Sequence, residues 1–427
     1  MLQLKYLALP VICSFLLSCS SGGEECSIPA QNQLVHELLV DDYLWYRDIP
    51  AELPADLSYS DFASPDRMLD YLRVDADRFS NITDAAEFES LFNQGQLVRY
   101  GFTFFINADD TVQIKFVFDD SPAGKAGLER GDYILSINNQ TVEQISASFD
   151  WAGIFGPNVE GYPVDLLVRK KNGDSFNLHL EKSVVNINTV LHHSIITNGN
   201  DTVGYLVFNS FITPSIAELF NVFSDFKAAG VNKMILDLRY NGGGSVSVAQ
   251  YLASLMVVTQ SPTDLFTVLK HNDKHQDRNT EFLFKTVQNE LDLQQVTVIT
   301  TGSTASASEM VINGLKPFVE VKTVGSTTFG KPVGMNPSEF CGKIILPITF
   351  AGFNQNGEGD FFGGFAADCA AQDDLDFSFG DIQDPMLSEA LFVSQTSSCS
   401  SLKAARKINS SQRPATSYFL QDMLSVH

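Results

Sequence analysis

An α/β fold is predicted by the second half of the chain, where short β-branched runs alternate with amphipathic helical runs. Two changes of period divide what precedes it. Apolar residues recur at helical spacing up to about residue 92, and strand-like alternation follows from Val98. The composition agrees: 427 residues, 44% apolar and 19% charged, suffice for two or three domains of roughly 100–200 residues. They exclude a collagen-like or wholly disordered chain. A net charge of −23 leaves no basic footprint for phosphate, so no nucleic-acid partner is expected.

Residues 1–18 read as a secretory signal peptide, with Lys5 ahead of an apolar stretch too short to span a bilayer. It ends Leu16-Leu17-Ser18-Cys19, which resembles a bacterial lipobox and makes Cys19 the expected lipidation site. The expected location is therefore the bacterial cell envelope, anchored to the membrane and facing the periplasm or exterior. Residues 19–32 form a polar tether. Leu34, Leu38, Leu39, Tyr43 and Leu44, then Met68, Leu69 and Leu72, then Phe88, Leu91 and Phe92 predict a small helical region over 33–92.

A β-rich unit is predicted over 93–185, from the run 100–105 to a closing hairpin around Asn172-Gly173. Strands at 203–208, 233–238 and 296–300 and helices at 214–229, 246–257 and 307–315 then make the α/β domain, 186–395. Within it, 258–295 reads as a polar insertion with no assigned place. A polar tail, 396–427, ends the chain.

Three segments carry chemistry. At Tyr100-Gly101-Phe102-Thr103 a glycine lets backbone N–H groups converge on a carboxylate, and a strand edge beside it can accept a peptide. Asp237-Leu238-Arg239-Tyr240-Asn241-Gly242-Gly243-Gly244-Ser245 joins a buried strand to a helix. Its glycines can turn amides toward an anion, and GxxxxGK[ST] is missing, so an oxyanion hole is favoured over a nucleotide site. Thr304-Ala305-Ser306-Ala307-Ser308-Glu309 sits between strand and helix. Ser306 with Glu309 fits a capping box, while small neighbours leave the Ser306 hydroxyl open to a carbonyl. Twenty-five residues later Lys331 follows Gly330 in an apolar stretch, where desolvation would leave a neutral amine as a base. No HExxH occurs, and neither a metal nor a cofactor is expected.

Together, DLRxNGGG, TASASE and FGK at this spacing resemble the S41 family of C-terminal processing (tail-specific) proteases. The segment 100–138, with Ser121-Pro122-Ala123-Gly124 and Gly131-Asp132, resembles a PDZ domain, and Asp77-Arg78-Phe79-Ser80 a segment often found ahead of it. The resemblance covers about residues 33–395 and implies a ClpP/crotonase-like catalytic core with a PDZ-like β domain and a small N-terminal helical region. It implies Ser306 as nucleophile, Lys331 as general base, an oxyanion hole at Gly243 (with Gly244 a second candidate) and Ala307, and Gly101 and Phe102 as the substrate C-terminus site. The implied partners are proteins or peptides with free, apolar C-termini. Many members carry Gln four residues after the lysine; here Met335 stands there. That keeps open an alternative reading, a catalytically weak or inactive tail-binding module on a protease scaffold. Of the remaining cysteines, Cys341 and Cys369 flank a β segment and its return and are expected to pair, leaving Cys26 to Cys399.

Overall fold

The computed structural model describes residues 26–400 apart from 108, 110, 149–150 and 259–260. The signal peptide, Cys19 and the tail beyond 400 lie outside the described residues. Among these no helix is long and apolar enough to cross a membrane.

The α/β domain is built on a six-stranded sheet in the order Val190–Asn198, Asp201–Phe208, Lys233–Asp237, Gln295–Thr300, Glu320–Gly325, Cys369–Ala370. The first pair is antiparallel and the rest are parallel. Period-two alternation splits the side chains between faces. Leu206, Phe208, Met234, Leu236, Val296 and Val298 pack with helices Ser215–Ala228, Val246–Met256 and Ala307–Leu315. Val203, Tyr205, Ile235 and Ile299 pack with Met386, Leu387, Ala390 and Val393 of helix Pro385–Thr396. Burial on both faces explains the near-continuous apolar strands.

The insertion at 258–295 is a second sheet. Leu265–His271 and Thr280–Leu283 join Ile348–Phe353 and Val333–Met335 in four strands. Its pairing is remote in sequence, Val268 against Phe353, which is why local pattern did not place it.

The PDZ-like unit has the strand order Phe102–Ile106, Val112–Val117, Tyr133–Ile137, Pro163–Arg169, Ser175–Glu181 around its own core. Phe102–Ile106 lies at one edge of this sheet and Ser175–Glu181 at the other. Gly101 is required there: its φ is +94°, and a Cβ would lie 2.0 Å from Ser121 Cβ.

The N-terminal region is docked, not separate. Helices Ile28–Asp42 and Pro65–Leu72 pack on Val333, Phe340, Ile345 and Ile348, and strand Asn81–Asp84 pairs with Lys343–Leu346. This docking overturns both expected disulfides. The bridges are Cys26–Cys341 and Cys369–Cys399. Cys341 lies at the turn between strands Ser338–Phe340 and Lys343–Leu346, whose hairpin carries the N-terminal region and so meets Cys26 just ahead of the first helix. Cys369 belongs instead to the far edge of the six-stranded sheet, beside Val324 and next to the end of helix Pro385–Thr396, which Cys399 follows.

Candidate active site

The glycine loop is held from below by a buried charge cluster. Asp237, at the end of its strand, accepts from Arg239 Nε (3.0 Å) and Nη2 (2.7 Å) and from Tyr205 Oη (2.8 Å). Arg239 also reaches Asp384 and Asp373. Arg130 of the PDZ-like unit shares Asp373 with it, at 2.7 Å, and also donates to Tyr240 Oη. Burial alone would raise the Asp373 carboxyl, but Arg130 and Arg239 hold it down at about 2. The PDZ-like unit and the glycine loop thus share one carboxylate.

Asn241 shapes the loop above. Its Nδ2 donates to Phe208 O (2.9 Å), and its carbonyl accepts from Ala305 N (3.1 Å) and Ser308 Oγ (2.9 Å). Its Oδ1 accepts from Gly243 N at 2.8 Å. That bond corrects one expectation: the Gly243 amide is already used and faces Asn241. Gly243 serves by close approach instead, since a Cβ there would lie 2.8 Å from Ala305 O and Ala307 N. The next residue carries the outward amide. Phe211 N donates to Gly243 O and Ser245 N to Phe211 O, so in this parallel bridge the Gly244 amide turns the other way. Gly244 N and Ala307 N have no protein acceptor among the described residues, and both residues line the cavity that holds Ser306. Gly244→Ala is expected to lower kcat/KM by about 10²–10³, the loss for one oxyanion donor. Its φ is +134° and a Cβ would lie 2.3 Å from Phe211 O. Steady-state kinetics checks this, with thermal unfolding of the same variant read alongside to separate a displaced amide from loss of the fold.

Ser306 precedes helix Ala307–Leu315 with φ 56° and ψ −114°, strained for a non-glycine residue. One buried side chain holds it there. Glu309 accepts from Ser306 N (3.0 Å), Lys331 N (2.8 Å), Gly330 N (2.7 Å) and Thr328 Oγ1 (2.6 Å). Burial raises the Glu309 carboxyl while these bonds pull it back. The sequence shows Glu309 only as a helix cap; its reach to residues 328–331 depends on the tertiary fold.

Lys331 is buried. Desolvation lowers its ammonium to about 7, against the opposing charges of Asp77 and Glu309. Its Nζ lies 3.6 Å from Met335 Sδ and 5.4 Å from the Phe79 ring centroid. The segment Asp77-Arg78-Phe79-Ser80 forms this wall: Asp77 Oδ1 accepts from the amides of Phe79 and Ser80, and Arg78 Nη2 donates to Phe329 O at 2.8 Å. The place where many family members carry Gln is thus filled by a weak sulfur acceptor, and packing and backbone bonds hold the lysine turn.

Ser306, Ala307, Gly244, Lys331 and Met335 line one cavity of about 280 Å³. Its apolar walls include Phe88 and Phe92, which sequence reading placed only on a helix. Gly101 and Phe102 lie outside this lining, in the PDZ-like unit. No metal is expected at these residues, whose groups are a hydroxyl, an amine and backbone amides.

A serine on a strained turn, a desolvated lysine and two outward amides thus share one cavity, in an α/β core that carries a PDZ-like unit. The comparisons with known proteins agree. The sequence model of Peptidase family S41 matches residues 202–370, that of the PDZ domain 117–154 and that of the Peptidase S41 N-terminal domain 30–81. A crystal structure from Bacteroides fragilis assigned to the S41 proteases superposes with a TM-score of 0.67 at 26% identity, covering 84% of this chain and 96% of that one. The carboxyl-terminal-processing protease of Picosynechococcus is 26% identical over 282 residues, 64% of each chain. Carboxy-terminal processing protease CtpA of Bacillus subtilis is 24% identical over 243 residues, 57% of this chain and 49% of that one. The chain therefore spans about half to two thirds of the length of these curated relatives. The likeness to peptidase family S41 thus lies in residues 202–370, and that to the family's N-terminal domain in residues 30–81.

Proposed function

We propose that this protein is a serine endopeptidase that cleaves proteins after reading their C-terminal tails. The observation that carries this reading is the desolvated Lys331, lowered to about 7, in the same cavity as Ser306. Ser306 Oγ attacks the scissile carbonyl carbon as Lys331 Nζ takes its proton. The resulting oxyanion rests on the amides of Ala307 and Gly244. Collapse breaks the C–N bond, Lys331 returns the proton to the leaving amine, and an acyl-enzyme remains. Water, deprotonated by the same lysine, releases the acid and frees Ser306. The tail's carboxylate is received at Gly101 and Phe102, beside the open edge of Phe102–Ile106. The protein acts in the bacterial envelope, held to a membrane through lipid on Cys19.

The test offers an unstructured protein with an apolar tail, as free acid and as C-terminal amide, to wild type and Ser306→Ala, and reads fragments by mass spectrometry. Cleavage by wild type alone, faster for the free acid, is expected. Equal cleavage by Ser306→Ala would sink the enzyme assignment, and equal rates for acid and amide would sink tail reading.

A further inference from the structure

A carboxylate of the protein itself lies beside the loop that is to receive the substrate's carboxylate. Arg99 immediately precedes Tyr100-Gly101-Phe102, is 3% exposed, and forms a salt bridge with Glu87. The antiparallel register pairs Arg99 with Ser183, which sets Lys182, also 3% exposed, 5.2 Å from the Tyr100 ring. Lys182 Nζ donates to Asn158 Oδ1 (3.0 Å), and Asn158 Nδ2 donates to Glu87 Oε1 (3.2 Å). Lys182 Nζ also donates to Gly156 O (3.0 Å) and Pro157 O (3.1 Å), so its three donors are taken and it holds Asn158 in place; Glu87 itself is held by Arg99 and Asn158. Burial and the neighbouring Arg99 lower the Lys182 ammonium to about 8, with Glu87 opposing.

Glu87 does not belong to the PDZ-like unit. It lies on the short helix Ala85–Glu89, which runs on into Ser90–Gln94. The same segment carries Phe88 and Phe92, stacked at 4.4 Å between centroids, and both line the cavity of Ser306 and Lys331. One segment thus meets Arg99, the residue just ahead of the tail-reading loop, through a carboxylate and lines the catalytic cavity with two rings.

We propose that Glu87 is a built-in competitor for the substrate's terminal carboxylate, holding Arg99 and Asn158 until an incoming tail displaces it. This rests on the tail-reading function proposed above. A carboxylate exchanged for a carboxylate keeps the charge of the buried subsite constant, so the tail need only replace an existing ion pair. Displacement releases the segment with Phe88 and Phe92, which links occupancy of the PDZ-like unit to the wall of the cavity.

The test uses the Ser306→Ala protein and a short fluorescein-labelled peptide ending in leucine, as free acid and as amide, read by anisotropy. Glu87→Gln, with Glu87→Ala as a second variant, is expected to bind the free acid about tenfold more tightly, about 1.4 kcal/mol, and the amide unchanged. Equal affinity for the acid with and without Glu87 would overturn the inference and leave tail reading intact. Failure of any of these proteins to prefer acid over amide would overturn tail reading and the inference with it. With Ser306 restored, Glu87→Gln is expected to raise kcat/KM for an amidated substrate severalfold, because the wall no longer waits on a tail. An unchanged amide rate would overturn the link to the cavity.

Discussion

Ser306→Ala and Lys331→Met are each expected to lower kcat/KM by about 10⁴-fold or more, and the double variant by no more than either alone. In the proposed mechanism the two side chains share one step, so losing either leaves the other without a task. Single-turnover kinetics on the three variants checks this; losses that multiply would refute a dyad. Two further readouts come from the buried amine. Only neutral Lys331 accepts a proton, so kcat/KM is expected to rise with pH through about 7. Each unit of lowered pKa corresponds to about 1.4 kcal/mol. Moving the amine from 10.5 to about 7 therefore sets on the order of 5 kcal/mol against the charged form. Between those values the unfolded chain binds more protons than the folded one, so this penalty is full below about 7 and fades toward 10.5. Lys331→Met is then expected to unfold at a higher temperature than wild type at neutral pH, with the difference shrinking in alkali. An inactive variant that is also more stable marks a group retained for chemistry.

Glu309→Gln is expected to lower kcat by about 10²–10³ while KM changes little. The side chain touches no substrate in the proposed mechanism; it positions both reacting groups through their backbones. Glu309 accepts from amides on both the serine turn and the lysine turn, and an amide side chain must turn its NH₂ toward one of those donors. A donor left buried without an acceptor costs about 1–3 kcal/mol. A purely structural role would lower stability and leave the pH profile where it was. Glu309 also raises the Lys331 ammonium, so removing its charge is expected to shift the ascending limb of the pH–rate profile to lower pH. An unmoved limb would show that Glu309 does not act on the lysine.

Much of the site was legible because it is local. Ser306, Lys331 and the glycine loop each sit at a strand–helix junction or turn that chain pattern alone reveals. Helix 307–315 follows from its apolar spacing and its cap. The edge strand after Gly101 follows from a glycine no other residue could replace. Where the expectations differ from the structure, a side-chain bond or a remote contact that chain pattern does not show was responsible. Gly243 and Gly244 are indistinguishable in a run of glycines, and the side chain of Asn241 together with the bridge to Phe211 selects between them. The four cysteines carry no record of their partners, which were settled by docking the N-terminal region onto a hairpin more than 300 residues away.

The sequence by itself determined the succession of helical, PDZ-like and α/β regions and the residue types of the candidate site, because periodicity, capping and turn chemistry act over a few residues. Only the tertiary structure decided which amides face the cavity, that Glu309 ties the serine turn to the lysine turn, and that Arg130 and Arg239 share Asp373. Those contacts join residues 20 to more than 240 positions apart, and their strength comes from exclusion of water, which no local pattern encodes.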